Sequence, residues 1–384
     1  VELLKRVSYV QAVVVATHIL PNPRRKVFVG AFDTLPCMFY LPRTCLLLWP
    51  LASAILLGHQ ALGFSARKSR IHRSQLCAGT ESDVNGVLES QPRSEKVSSR
   101  VSILVCPAQF CVPDDYGVLF QNLRNAECNI NVGTTVVAPL PRTEWIKVAK
   151  QLPTKNFWDA TLPVHETLGW YFDAMESGLS EIFAKEGPDA KVCIIGHSIG
   201  GWVARAYLGG LSRSSSAVAK IAADRCTSLV TLGTPHVAPE TALVDQTRGL
   251  IREIDESPSC SAQALSDKGI DITCVCSASL SGAFLSTNVE ELVAATSYLP
   301  LLGRLGSDVQ GDGIVPLELA FMEPPARKVI IEQCNNTGSR VRHSHVLPTP
   351  WNLWDGYAPS IDLPSDFASY VSEGVVSQWA KYIR

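Results

Sequence analysis

The sequence predicts an α/β domain built on a mostly parallel sheet with helices on both faces. Continuous apolar, β-branched runs recur between residues 101 and 333, and helical stretches alternate with them. The composition agrees. The 384 residues are 46% hydrophobic and 18% charged, with mean hydropathy +0.12, which is far from a disordered composition and enough for a large core.

The elements follow in order. VSILVC (101–106) suits a strand buried on both faces, residues 115–127 a helix, and TTVVAPL (134–140) a second strand. Over 161–185, Leu168, Phe172, Met175, Leu179, Ile182 and Phe183 are spaced for one helical face. KVCIIG (191–196) is a third strand, followed by a helix to about Leu211. TSLVTLG (227–233), ITCVCS (272–277) and KVIIEQ (328–333) bring the set to at least six. No internal repeat is visible. Residues 237–311 hold one clear strand and much Ser, Gly and Leu, which predicts an insertion over the carboxyl edge of the sheet.

Residues 1–100 differ from this body. They carry 13 Lys and Arg against 6 Asp and Glu, whereas residues 101–384 carry 21 against 30. An acidic body excludes nucleic acid as a natural partner, because phosphate contacts need a basic face. The first methionine is Met38, and residues 1–37 are expected to be an extension upstream of the true start. From Met38 a short polar start, an apolar run from Cys45 to Gly58 and small residues at Ala61 and Gly63 predict a signal peptide over about 38–63. Residues 64–80 are rich in Arg and Ser without acids, the composition of a transit peptide. The two in tandem, with Phe64 leading the second, resemble the plastid presequence of algae with secondary plastids. The expected location is therefore a plastid, with the secretory pathway as the alternative, where the Asn335-Asn336-Thr337 sequon would matter. Residues 81–100 read as a polar linker. No run reaches 18 uninterrupted apolar residues, so a transmembrane helix is not favoured. The twelve cysteines include no C-x-x-C pair; most lie in or beside apolar runs and are expected to be reduced, structural thiols.

Gly196-His197-Ser198-Ile199-Gly200 follows a strand and opens a helix, the context of a nucleophile elbow. Glycines at 196 and 200 allow the tight turn that lifts the Ser198 hydroxyl above the sheet edge. The Ile199 N–H, at the helix N-terminus, then faces any oxyanion formed there. A serine needs a base and an acid, and in hydrolases built on such a sheet these follow it in the order acid, then histidine. Of the histidines downstream, His236 comes before any acid loop and is expected to shape the pocket or cap a helix. His343 and His345 follow the last strand, and either fits the base. For the acid, Asp312 lies between Gly311 and Gly313 in a tight loop, while Asp308 reads as a solvated loop acid. The second oxyanion donor is expected from the loop after the first strand, with the Gln109 N–H best placed.

GHSIGGWVAR, SLVTLGTPH, GDGIVP and the late RHSH together resemble the lipase-like α/β-hydrolases of plants, algae and cyanobacteria, which share LGTPH with GPI inositol-deacylase-like lipases. PAQFCVPDDYGVLFQNL, VVAPLPRTEWIK, FWDATL and VDQTRGL extend the resemblance over residues 101–384. It implies an α/β-hydrolase fold and an esterase or lipase with Ser198 as nucleophile, Asp312 as acid and a histidine of RHSH as base. Family members place a serine after that histidine and a Trp-containing segment later, which ranks His343 over His345. The chain departs from the family in the oxyanion loop, where many relatives carry glycine at the positions of Ala108 and Phe110.

The expected chemistry is ester hydrolysis through an acyl-enzyme, needing no metal or organic cofactor. Segment 279–303 would be either a lid over a lipid-like ester, giving peripheral membrane contact, or plain core. Rival readings are an acyltransferase with the same nucleophile and a non-catalytic binding protein on a hydrolase scaffold. Neither the particular ester nor the oligomeric state is written in the sequence.

Overall fold

The computed structural model describes residues 100–126, 130–243, 245–306, 308–344 and 366–384. The signal-like and transit-like segments, the linker up to residue 99 and His345 lie outside these residues. Six strands form one parallel sheet: β1 (Val101–Cys106), β2 (Val132–Val137), β3 (Lys191–His197), β4 (Cys226–Leu232), β5 (Asp271–Ser277) and β6 (Arg327–Ile331). Their spatial order is β2-β1-β3-β4-β5-β6. The chain leaves β1 toward one edge and returns at β3 on its other side. The loops after β1 and β3 therefore part at a topological switch point, where open α/β sheets bind ligands at their carboxyl ends.

Strands β1, β3, β4 and β5 are buried nearly throughout, so they read as unbroken apolar runs. Along them the side chains alternate between two covered faces. Ile103, Val105, Ile195, Val230 and Val275 pack with Tyr116, Leu119 and Leu123 on one side, together with Val375, Val376 and Trp379. The helices supplying that cover are α1 (Gly117–Asn125) and the last helix, α6 (Glu373–Trp379). On the other face lie α2 (Val164–Glu186) and α3 (Ile199–Leu208); Gly178 lets α2 approach so closely that a Cβ there would sit 2.6 Å from Leu104 Cδ1. Helix α4 (Ala217–Arg225) starts at Ser216, whose hydroxyl accepts from the Ala219 N–H.

The predicted segment 134–140 forms a strand only to Val137. Pro139 and Pro141 lack an N–H for the ladder, and the Ala138 N–H to Val105 O bond (2.9 Å) is the last before them. Within 237–311 the described residues hold β5, two short helices (250–256 and 262–267) and α5 (Val289–Leu302). Helix α5 is capped by the Asn288 side chain at its start and by Gly303 at φ +71 after its end. Its Ala294, Tyr298 and Leu302 form a small separate core with Val309 and Leu319. The Tyr298 hydroxyl accepts from the Gly313 N–H (2.8 Å) and lies 3.3 Å from the Leu280 carbonyl, to which it donates. Helix α5 thus braces the loop that carries Asp312, while Leu285, just before it, is exposed.

The eight described cysteines are free and buried. Burial pushes the Cys193 and Cys111 thiols up to about 12, so these two stay protonated and behave as apolar packing. Among the described residues no helix is long and apolar enough to cross a membrane, and no cluster of His, Cys, Asp and Glu could hold a metal ion.

Candidate active site

Ser198 stands between β3 and α3 at φ 54 and ψ −124, a conformation outside the ordinary regions for a side-chain-bearing residue. Three hydrogen bonds hold it there. Its N–H donates to Leu232 O on β4 (2.8 Å), and its carbonyl accepts from the Gly201 N–H (3.0 Å) and the Thr234 hydroxyl (2.9 Å). The flanking glycines are required by contact: a Cβ at 196 would lie 2.3 Å from Gly201 Cα, and one at 200 would lie 2.1 Å from Cys106 O. Ile199 begins α3, so its N–H lacks an intrahelical partner and opens onto the sheet edge beside Ser198.

Asp312 and His343, the expected acid and base, meet at the same edge. His343 Nδ1 is 2.8 Å from Asp312 Oδ2, with Asp312 only 1% and His343 8% exposed. The His343 N–H also donates to Asp312 O (3.0 Å), so backbone as well as side chain joins the two loops. The other carboxylate oxygen, Oδ1, accepts from the N–H groups of Ile314 (3.0 Å) and Val315 (2.8 Å). Gly313, at φ +98, makes that turn possible. Gly233 lies directly after Leu232, the residue bonded to Ser198. A Cβ on it would sit 2.5 Å from Asp312 Oδ2 and 3.0 Å from His343 Nδ1. The Ser198 turn and the His343–Asp312 pair are therefore packed around one glycine. The Ser198 hydroxyl makes no hydrogen bond to a described residue.

Sequence reasoning did not single out Tyr370. Its hydroxyl donates to Asp312 Oδ2 (2.8 Å) and accepts from the Ser277 N–H (2.9 Å). Burial first, and then the Asp312 carboxylate, push this phenol well above its usual value, so it remains a donor. The Asp312 carboxylate thus accepts four hydrogen bonds, and its orientation is over-determined.

Asp308 lies apart, paired on the surface with Arg304 (3.1 Å). His236 is fully buried, with Nε2 3.1 Å from the Thr231 hydroxyl and its N–H donating to Leu319 O (2.7 Å). Burial, then Arg205, hold it well below the ordinary imidazole value, so it stays neutral.

The loop after β1 closes the other side. Gln109 is exposed in a turn closed by the Cys111 N–H to Ala108 O bond (3.0 Å). The Ala108 N–H is already used by the Tyr116 hydroxyl (2.8 Å), whereas none of the hydrogen bonds involves the Gln109 N–H. Phe110 takes φ +63, a conformation that glycine adopts freely and that costs a side-chain-bearing residue strain. Buried Arg142 restrains it: Nε donates to Phe110 O (2.8 Å) and a terminal nitrogen pairs with Asp115 (3.3 Å). The Tyr171 hydroxyl donates to Pro107 O (2.6 Å), and the Phe110, Trp145, Trp170 and Tyr171 rings pack beside the loop. Arg142 and Tyr171 also went unmarked in the sequence; VVAPLPRTEWIK, which contains Arg142, was visible only as a family segment.

The six-stranded parallel sheet, with the glycine-flanked turn at Ser198 after β3, the Asp312 loop after β5 and the His343 loop after β6, has an α/β-hydrolase fold. Residues 167–296, about a third of the chain, match the family described as PGAP1-like alpha/beta domain, a hydrolase family. The matched stretch contains the elbow and TLGTPH but not Asp312 or His343. No curated protein matches the chain. Among solved structures, RedJ with a PEG molecule bound in its active site is 12% identical over 73% of this chain and 92% of its own, with a TM-score of 0.28. The RedJ thioesterase of the prodiginine pathway in Streptomyces coelicolor is 13% identical over 63% and 88%, with a TM-score of 0.26.

Proposed function

We propose that the chain is a serine hydrolase of carboxylic esters, with Ser198 as nucleophile, His343 as general base and Asp312 as the acid that orients it. The buried His343–Asp312 pair, packed against Gly233 beside a strained Ser198, carries this reading. Asp312 accepts from Nδ1–H and so fixes the tautomer in which Nε2 is free to take the Ser198 proton. Ser198 then attacks the ester carbonyl, and the oxyanion lies between the N–H groups of Ile199 and Gln109. Protonated His343 returns its proton to the leaving alcohol. Water, activated by the same imidazole, releases the acid from the acyl-enzyme. The aromatic group beside the oxyanion loop supports an apolar acyl chain, and the exposed Leu285 supports a lipid-facing edge near α5.

The test is turnover of p-nitrophenyl acetate, octanoate and palmitate by the chain and by Ser198→Ala. Wild type should cleave all three and favour the longer chains, and Ser198→Ala should lose about 10^4-fold or more in kcat. A folded wild type without turnover, or Ser198→Ala at wild-type rate, overturns the proposal. Added alcohol that diverts most of the acyl group into a new ester would establish an acyltransferase instead.

A further inference from the structure

A hydrogen-bonded chain crosses the site beneath Ser198, and no catalytic step uses it. The Ala108 N–H donates to the Tyr116 hydroxyl (2.8 Å), whose oxygen lies 2.9 Å from His197 Nδ1; His197 Nε2 lies 2.8 Å from His343 O. The proton positions follow from what each group can do. A carbonyl oxygen only accepts, so His197 Nε2 carries a hydrogen. In the neutral ring Nδ1 is then an acceptor, and the Tyr116 hydroxyl, already accepting from Ala108, donates to it. Both members are buried, Tyr116 at 0% and His197 at 1% exposure. The Tyr116 ring meets the His197 ring edge-on at 6.0 Å, and the His343 ring lies 5.4 Å from it.

We infer that His197, the residue before the nucleophile, is a positioning residue that ties the oxyanion loop after β1 to the backbone of the base loop at His343. This rests on the proposed roles of Ser198, His343 and the 107–111 loop. The two loops come from strands on either side of β3, and residue 197 is the last of β3. A side chain there with a donor at one end and an acceptor at the other spans them while the strained elbow stays fixed. A glycine or alanine at 197 would leave the Tyr116 hydroxyl and the His343 carbonyl without these partners.

Two substitutions separate the ends. The side-chain nitrogen of His197→Gln reaches the place of Nε2 and keeps the donor to His343 O, but it loses the acceptor for Tyr116. The side-chain oxygen of His197→Asn stands near Nδ1 and keeps that acceptor, but it loses the donor. The full chain and both variants are compared by kcat and KM on p-nitrophenyl octanoate. They are also compared by the downfield proton resonance of the His343–Asp312 hydrogen bond, assigned by its loss in Asp312→Ala. Each variant should lose about fivefold to tenfold in kcat with KM within about twofold, the scale of one hydrogen bond used for positioning. Only His197→Asn should shift or broaden the resonance, and His197→Gln should restore it.

Variants that fold and keep kcat within about twofold, or a resonance unmoved in His197→Asn, overturn the inference. If neither variant folds, Tyr116→Phe keeps the ring and deletes only the hydroxyl. It should lower kcat about fivefold, and an unchanged kcat overturns the inference. If the wild type proves inactive on every ester, the functional reading fails separately, and the resonance comparison, which needs no substrate, still decides whether His197 positions His343.

Discussion

Asp312→Asn should abolish catalysis by inverting the His343 tautomer, and the hydrogen bonds around the carboxylate show why. Oδ1 accepts from two backbone N–H groups, of Ile314 and Val315, which cannot be turned away. An asparagine must keep its oxygen there, which places its NH2 where Oδ2 now faces His343 Nδ1 and the Tyr370 hydroxyl. That NH2 can only donate. His343 Nδ1 must then become the acceptor, its hydrogen moves to Nε2, and Nε2 no longer takes a proton from Ser198. Tyr370, accepting from both the asparagine and Ser277, would turn its own hydrogen to Cys276 Sγ, 3.7 Å away. The cost for a triad with the wrong tautomer is about 10^4 in kcat, or about 5.5 kcal/mol at the barrier. Stability should change far less, because the shape and the two backbone bonds survive. The assay is kcat on p-nitrophenyl octanoate beside a urea unfolding curve. A folded variant within about tenfold of wild-type kcat would refute the assignment of Asp312.

Tyr370→Phe removes one of four donors to the Asp312 carboxylate and orphans the Ser277 N–H, so stability should fall by about 2–4 kcal/mol in urea unfolding while kcat drops about tenfold. Gly233→Ala should lower kcat about a hundredfold, because its Cβ meets the proposed acid, Asp312, and base, His343, at 2.5 and 3.0 Å; thermal unfolding should still be cooperative. Arg142→Ala leaves the buried Asp115 carboxylate without its cation and frees Phe110, which should cost about 3–5 kcal/mol in urea unfolding. Residues 38–80 fused to a fluorescent protein should reach the plastid of an alga with a secondary plastid; secretion of the fusion would refute the plastid address.

What the sequence made legible is what is local. Strands β3, β4 and β5 sit inside a parallel sheet with both faces covered, so burial is written as an unbroken apolar run. The edge strands were harder. β2 is only half-buried over Val132–Thr135, and β6 alternates, so the boundaries drifted by two and three residues in β2 and by one and two in β6. Helix α6 has seven residues, too few for a period of 3.6 to show, although Trp379 is completely buried. In the site, Ser198 and Asp312 carried local marks, a glycine-flanked elbow and a glycine-flanked loop. Tyr370 had none: it lies 58 residues beyond Asp312 and 93 beyond Ser277, and only the fold brings it to both. Tyr116 stands 81 residues before His197, so their chain could not be read from spacing. Segment 279–303 left lid and core open in the sequence; the structure packs Tyr298 and Leu302 inward and leaves Leu285 outside.

The most direct test is covalent. The chain is treated with a fluorophosphonate, which reacts only with an activated serine, and the adduct is mapped by peptide mass spectrometry in wild type, Ser198→Ala, His343→Ala and His345→Ala. The account expects one adduct, on Ser198, absent from Ser198→Ala, lost in His343→Ala and kept in His345→Ala. A folded wild type that takes no label, or a label that survives in His343→Ala and vanishes in His345→Ala, would contradict it.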